Sequence, residues 1–442
     1  MKKVIIIGAG PAGLGAGLRL LELGCPDFLI LEKNPYPGGL SASFKTPEGF
    51  IFDLGGHVFF SKAPYFRETA FSLLKDEIHF HTRNASVYLG EQVIPYPFQD
   101  NIADLAQEVQ LEIARDFLEI SSRGGQVQSR RKRPFSNWLL KSFGKTLSQL
   151  FLLPYNRKVW ACDLKKMGSY WIDERVSTLT LEDILERIIL GKKKRDWGPN
   201  AEFFFPHLGI GYLFEKMAQR LQSHILYNHP VTSVDLKNKT VITVKGENIQ
   251  YNSLVSSMPV TELIKRLAPG YSGGRMLSRA AATLRCNSGY ILGLGIDFKI
   301  ETGKHWVYFP EKEFPWFRLT VISNYSPAMA PAGTSSLLFD TSYNPYRGLN
   351  VSAKDIIPLL KKITFLPPIE AGNIISVFEK TVPYFYPIPT MDRDTYLSPA
   401  LAFLEQNGVY SVGRFGKWRY EEGNMDHSFL HGKAAAESVL KK

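Results

Sequence analysis

The sequence predicts an α/β protein: a Rossmann-like dinucleotide-binding domain with an inserted helical domain and a separate, mainly antiparallel sheet domain. Three observations predict it. The N-terminus reads strand, glycine loop, helix, second strand, acid. From Ile102 to about Leu190, apolar residues recur at helical spacing with charged residues between them. Beyond that, short apolar runs separated by turn residues read as the strands of a second sheet.

Val4-Ile5-Ile6-Ile7 is an apolar, β-branched run of the kind that forms a buried parallel strand. Gly8-Ala9-Gly10-Pro11-Ala12-Gly13 follows, and Leu14 to Leu23 reads as a helix. Gly8 allows the tight turn, Gly10 lets the backbone approach a pyrophosphate, and Gly13 lets helix and strand pack closely. The phosphates would meet the free N–H groups of the helix N-terminus. Phe28-Leu29-Ile30-Leu31 ends in Glu32, where a carboxylate should reach ribose hydroxyls. Lys2-Lys3 before apolar residues imitates a signal peptide, but the glycines interrupt the apolar core and no small-residue cleavage site follows.

Further along, Ser86 to Ile94 is strand-like, and Val231 to Ser257 alternates as strands with a turn at Asn238-Lys239. Leu254-Val255-Ser256-Ser257-Met258-Pro259 resembles the strand that returns to the nucleotide sheet in two-domain flavoproteins. Tyr290 to Phe298, Trp306 to Phe309, Phe317 to Ser323 and Ser335 to Thr341 are the strands expected of the second sheet. Val409 to Gly413 and a helix from about Met425 should rejoin the first domain. The expected domains are therefore discontinuous: 1–77, 206–262 and 406–442 for the dinucleotide; 101–205 helical; 78–100 and 263–405 for the second sheet.

Composition sets bounds. The chain has 442 residues, enough for two or three domains, and is 44% hydrophobic and 21% charged, a globular balance. No run is apolar and long enough to span a bilayer. Cys25, Cys162 and Cys286 lie far apart with no metal-ligand spacing, which suggests a reducing, cytoplasmic setting and no structural zinc. Net charge is +11, concentrated at Arg123 to Lys145 and at Lys192-Lys193-Lys194-Arg195. No nucleic-acid module surrounds either run, so they read as solvated segments, and no nucleic acid is expected as partner. The basic balance suits an anionic small molecule. Nothing in the pattern specifies an oligomer.

Several strings carry chemistry. Pro37-Gly38-Gly39-Leu40 offers a second glycine pair to a cofactor pyrophosphate. Asp53-Leu54-Gly55-Gly56-His57-Val58 would let backbone lie against a flat ring. Ile94-Pro95-Tyr96-Pro97-Phe98-Gln99-Asp100-Asn101 and Pro154-Tyr155-Asn156-Arg157-Lys158-Val159-Trp160 interleave aromatics with amides, as a stacking and hydrogen-bonding site for a uracil would; each could equally close a core. Arg175 and Arg318 are candidate forks for a diphosphate.

Taken together, these strings resemble the UDP-galactopyranose mutase family, its eukaryotic-type branch more closely than the bacterial one. The resemblance rests on Gly-Gly-His-Val at 55–58, Pro-Tyr-Pro-Phe-Gln at 95–99, Pro-Tyr-Asn-x-Lys-Val-Trp at 154–160 and Trp-Gly-Pro-Asn at 197–200. Asn-Tyr-Ser-Pro at 324–327 and Gly-Arg-Phe-Gly-x-Trp-x-Tyr-Glu at 413–421 complete it. It implies FAD held by Gly8, Gly10, Gly13, Glu32, Lys33, Gly38, Gly39, Leu40, Gly55, Gly56, His57, Arg83, Arg414, Gly423, Asn424, Met425 and Ser428. It implies a uridine end at Tyr96, Phe98, Gln99, Tyr155, Asn156 and Trp160, and a diphosphate at Arg318, Tyr308, Tyr325, Tyr386 and Tyr420. Arg175, Asn200 and Trp306 would lie near the sugar, with Asn424 near both sugar and flavin.

The implied activity is interconversion of UDP-galactopyranose and UDP-galactofuranose through a flavin N5–sugar adduct on reduced FAD, feeding cell-surface glycan synthesis, with NADPH or NADH as reductant. A nucleophilic cofactor agrees with the lack of a Ser-His-Asp or paired-carboxylate pattern. Three alternatives share part of this pattern. The same chemistry could act on another nucleotide sugar. An amine- or porphyrinogen-type flavin oxidase shares the opening, but needs no arginine–tyrosine cluster. A non-catalytic flavin-binding protein would leave the polar site residues without a task.

Overall fold

The apolar run Val4–Ile7 forms the central strand of a five-stranded parallel sheet. The computed structural model describes residues 4–124, 133–172, 176–193, 201–269 and 273–441. Phe28–Leu31 and then Ile225–Leu226 lie on one side of the central strand; Ser253–Ser256 and then Val409–Ser411 lie on the other. All pairings are parallel, and both faces are covered, which is why these strands are apolar at almost every position. Residues far apart in sequence thus build one sheet.

The glycine loop turns into the helix Pro11–Glu22, with Pro11 in its first turn where a missing N–H costs nothing. The closing helix Met425–Lys441 packs against it through small residues. A Cβ on Gly15 would run into the Phe429 carbonyl oxygen, and one on Gly432 into that of Ala12. The two backbones therefore approach closely only because these positions are glycine.

The second sheet has seven strands in the order Ile374–Pro387, Cys286–Ile296, Ser335–Tyr343, Arg318–Val321, Trp306–Tyr308, Ala85–Leu89, Gln92–Pro95. All neighbours are antiparallel except Trp306–Tyr308 with Ala85–Leu89. The strand-like run 86–94 is a hairpin whose turn residues, Gly90 and Glu91, both have positive φ, as a two-residue hairpin turn requires. Ile374–Pro387 was not expected from sequence. It mixes charged and apolar residues and contains Pro383, features of an edge strand; at the sheet's edge the missing N–H breaks no ladder.

Helices Gln107–Ser122, Phe135–Leu147, Leu153–Trp160 and Leu181–Leu190 occupy the stretch read as helical. Leu181–Leu190 starts with a capping box at Thr180 and Asp183 and ends at Gly191 in the left-handed region. Val231–Asp235, Thr240–Thr243 and Asn248–Gln250 form a separate meander, its first turn at Asn238-Lys239. The meander shares a core with the parallel sheet and the helices Gly274–Thr283 and Arg393–Gln406. Among the described residues, no helix is long and apolar enough to cross a membrane.

Candidate functional site

The candidate nucleotide cradle is shaped by five glycines. Gly8 has φ +96° and its N–H donates to the Leu31 carbonyl, tying the strand-to-helix turn to the end of the second strand. A Cβ on Gly13 would collide with the Gly8 carbonyl, so helix and strand pack only through glycine. Gly10 is different: the nearest atom to a Cβ there is the Gly38 carbonyl oxygen, 3.9 Å away. Gly38 donates to the Ala9 carbonyl at 2.9 Å, and a Cβ on Gly39 would lie 3.5 Å from the Gly10 Cα. The two glycine loops therefore face one another with no side chain between them. Glu32, at the end of the second strand, accepts from the Ala9 N–H at 2.7 Å and from both nitrogens of Asn34. Its carboxylate braces the glycine loop. Lys33 is exposed and Leu40 half-buried.

Just beyond the last strand stands Gly413 (φ +79°), where a Cβ would lie 3.2 Å from the Ala12 Cβ and 4.0 Å from Ser428. Arg414 donates through Nε to the Gly423 carbonyl at 2.7 Å, so Gly423, Asn424 and Met425 are fastened where the closing helix begins. Ser428 is buried in that helix.

One face of the seven-stranded sheet carries the polar centre. Strand register sets Tyr308, Arg318 and Asp340 side by side across three strands, with Trp306 and Thr320 two positions further on. Arg318 Nε donates to Asp340 Oδ2 at 2.5 Å, and Asp340 is fully buried. The loop 55–57 lies on this face. A Cβ on Gly56 would stand 2.5 Å from Thr320 Oγ1 and 3.1 Å from the Arg318 guanidinium, so no larger residue fits. Burial, and then the charges of Arg414 and Arg318, push the His57 imidazole down to about 3. The ring is neutral at physiological pH, and its buried Nδ1 has no partner among the described residues. Two facing glycine loops and an unpartnered buried ring nitrogen beyond them fit an extended dinucleotide with a polar flat ring.

Below about pH 6.5 the unfolded chain takes up a proton at His57 that the folded chain refuses until near pH 3. Its contribution therefore destabilises the fold progressively as pH falls through that window. His57→Gln is expected to flatten the decline of melting temperature between pH 6.5 and 4; an unchanged slope would remove His57 as a source.

The aromatic residues form one continuous wall. Tyr96 and Tyr155 each lie 5.1 Å from Tyr308, and Phe151 stacks on Tyr155 at 5.0 Å. Trp160 lies 4.9 Å from Tyr420, 5.0 Å from Trp171 and 6.1 Å from Tyr386. Arg83 sits over Tyr96 and Arg414 over Tyr386. Burial raises the phenols of Tyr96, Tyr155, Tyr308, Tyr325 and Tyr386 above their ordinary value, with Arg83 or Arg318 pulling each partway back. They are neutral hydroxyls around fixed cations. Burial opposes the Arg318 charge, but Asp340 and the tyrosines keep its pKa above the ordinary arginine value.

The amide-bearing strings divide between wall and support. Phe98 is fully buried against Phe151, and Gln99 donates to the Ser177 carbonyl at 3.1 Å. Asn156 donates to the Leu152 carbonyl and accepts from Trp160 Nε1 at 3.2 Å. Tyr325 is buried among Phe203, Phe205 and Trp306. Arg175 and Asn200 lie outside the described residues, as do Trp197 to Pro199.

Sequence reading missed three supports. Asp340 lies in an unremarkable strand, and only register brings it to Arg318. Asn287, fully buried, donates to the Val159 carbonyl and accepts from the Tyr386 N–H, tying the Trp160 helix to the sheet. Asp100, inside the Tyr96 string, pairs with Arg187 at 2.5 Å and holds that string against the helix Leu181–Leu190. Its short polar side chain had given no hint of a distant cation.

A family model for flavin-containing amine oxidoreductases matches residues 11–440. The crystal structure of a reduced UDP-galactopyranose mutase superposes with a TM-score of 0.94 at 33% identity, covering 100% of this chain and 96% of that one. A putative protoporphyrinogen oxidase from Exiguobacterium sp. 255-15 superposes at 0.75 with 16% identity over 100% and 99% of the two chains, a likeness of fold alone. Among curated proteins, a 4,4'-diapolycopene oxygenase from Methylomonas sp is 26% identical over 75% of this chain and 73% of its own length. A 1-hydroxycarotenoid 3,4-desaturase from Flavobacterium sp. (strain P99-3) is 42% identical over 49% of this chain, which spans only 39% of the desaturase. Fold and family match together define a flavoprotein of the amine-oxidase class, in which an arginine–tyrosine cluster lies beside the loop 55–57. The chain belongs to the flavin-containing amine oxidoreductase family and, within it, to the UDP-galactopyranose mutase family.

Proposed function

We propose that this protein interconverts UDP-galactopyranose and UDP-galactofuranose, with reduced FAD as its working cofactor and NADPH or NADH as the reductant. The observation that carries this reading is the chamber itself: Arg318 and Arg83 among half-buried tyrosines, beside the glycine loop 55–57. An oxidase acting on an amine or an apolar substrate has no use for such a set, whereas a diphosphate does.

When bound and reduced, the flavin supplies the nucleophile that replaces UDP at the anomeric carbon, so the chain needs no side-chain nucleophile. The chain's residues do the rest. The Arg318 fork, with Nε held by Asp340, presents its remaining N–H groups to the diphosphate. Tyr308, Tyr386 and Tyr420 donate hydrogen bonds to it. These donors are already in place when negative charge grows on the departing UDP, so little reorganisation is needed. Tyr96, Tyr155 and Trp160 flank the uracil, and the aromatic wall keeps water from the opened sugar. Arg175, Asn200 and Trp306 are assigned to the sugar end.

The test is an anaerobic assay of flavin-loaded protein with UDP-galactofuranose, with and without dithionite, followed by chromatography. UDP-galactopyranose formed only with reduced flavin is the expected result. No conversion with UDP still bound would mean another nucleotide sugar; no conversion and no UDP binding would favour an oxidase. In the same protein, Trp160→Ala should weaken UDP binding about tenfold or more. Trp160→Phe serves as the folding control, and an unchanged UDP affinity in the alanine variant would remove Trp160 from the site.

A further inference from the structure

The chamber wall formed by Tyr420 and Trp171 belongs to two segments distant in sequence, and one buried arginine joins them. Arg393, 1% exposed, opens the helix Arg393–Gln406. Its Nη1 and Nη2 donate to the two Glu421 carboxylate oxygens at 3.0 and 2.7 Å, a bidentate pair. Its Nε donates to Asp394 at 3.0 Å, and Arg419 lies 3.7 Å from the same carboxylate. Glu421 follows Tyr420 directly. On its other side the Arg393 guanidinium lies 4.9 Å from the centre of the Tyr170 ring. Tyr170 precedes Trp171, and its hydroxyl donates to the Thr390 carbonyl at 2.9 Å. The segment before it is fastened to the same place, Gly168 N–H donating to the Pro389 carbonyl at 2.9 Å.

We infer that Arg393 is a positioning residue for the substrate chamber: through Glu421 and Tyr170 it sets the rings of Tyr420 and Trp171 against Trp160. The geometry is specific. Tyr420 lies 5.3 Å from Trp171, and both touch Trp160 edge-on, so a shift of either segment opens the wall. A single ammonium could satisfy neither the fork to Glu421 nor the planar contact with Tyr170. Arg393 touches neither substrate nor cofactor, and its positioning role rests on the mutase reading of the chamber.

The test compares flavin-loaded wild type with Arg393→Met, Arg393→Lys and Glu421→Gln. Flavin absorbance should be retained in all three. In Arg393→Met, KM for UDP-galactofuranose and Kd for UDP should rise about tenfold while kcat changes less than about threefold. Arg393→Lys should recover only part of this loss. Hydrogen exchange should quicken in residues 164–172 and 418–424 together. A lower melting temperature with KM, Kd and exchange all unchanged would reduce Arg393 to a structural ion pair and overturn the inference. Should Arg393→Met fail to fold, Glu421→Gln, which keeps the side-chain volume, carries the comparison. A wild type that neither binds UDP nor converts the sugar would sink the mutase reading; the clamp then stands or falls on exchange in the two segments.

Discussion

Arg318→Ala should reduce turnover by about a hundredfold or more while the protein still binds flavin, since one preorganised donor to a departing oxyanion is worth that much. The same change strips Asp340 of its cation. A fully buried carboxylate left unpaired costs about 3–5 kcal/mol, so the single variant should also melt earlier. The two effects separate in the double variant Arg318→Ala/Asp340→Asn. Its melting temperature should recover, because no buried charge remains, while turnover stays low. Arg318→Lys should keep the charge and still lose most activity, because an ammonium cannot bond Asp340 and the diphosphate in the same plane. Turnover within about fivefold of wild type in Arg318→Ala would remove this residue from the leaving-group site.

The glycine loop makes a second sharp prediction, with opposite outcomes at two positions. A Cβ at Gly13 meets the Gly8 carbonyl oxygen, a backbone atom that cannot step aside. Gly13→Ala should therefore force helix and strand apart and yield poorly soluble, colourless protein. Gly10 has extended backbone (φ −79°, ψ −178°) that any residue adopts, and its Cβ would meet no protein atom closer than 3.9 Å. Gly10→Ala should fold with near-normal far-ultraviolet circular dichroism and lose affinity for FAD by about tenfold or more, because the methyl group occupies the path of the pyrophosphate. Normal flavin content in Gly10→Ala would mean that the pyrophosphate does not cross this loop.

These predictions draw on two kinds of legibility. The glycine loop, Glu32 and the strand before them could be read directly, since turn, strand and helix N-terminus are local and each has a residue requirement. The return of Ser253–Ser256 to the same sheet was legible from the likeness of 254–259 to the returning strand of two-domain flavoproteins, and that of Val409–Ser411 from a short strand followed by a glycine and a helix. The edge strand Ile374–Pro387 was not, because a half-exposed edge has no clean period and tolerates proline. The aromatic strings at 95–99 and 154–160 announced stacking chemistry. Their division into wall residues such as Tyr96, Tyr155 and Trp160 and supports such as Phe98 could not be read, since either role selects an aromatic.

By itself the sequence determined the fold class and the dinucleotide loop, which rest on contiguous patterns set by local backbone geometry, and its motif strings carried the resemblance to the family. Tertiary structure alone decided that Asp340 meets Arg318, that Asn287 joins Tyr386 to the Trp160 helix, and that Arg393 fastens Glu421 to Tyr170. Those pairings depend on strand register and on which helix end reaches which loop. A charge in a sequence gives its sign, but its partner is chosen by the fold, because a buried ion is tolerated only where the packed chain delivers an opposite one.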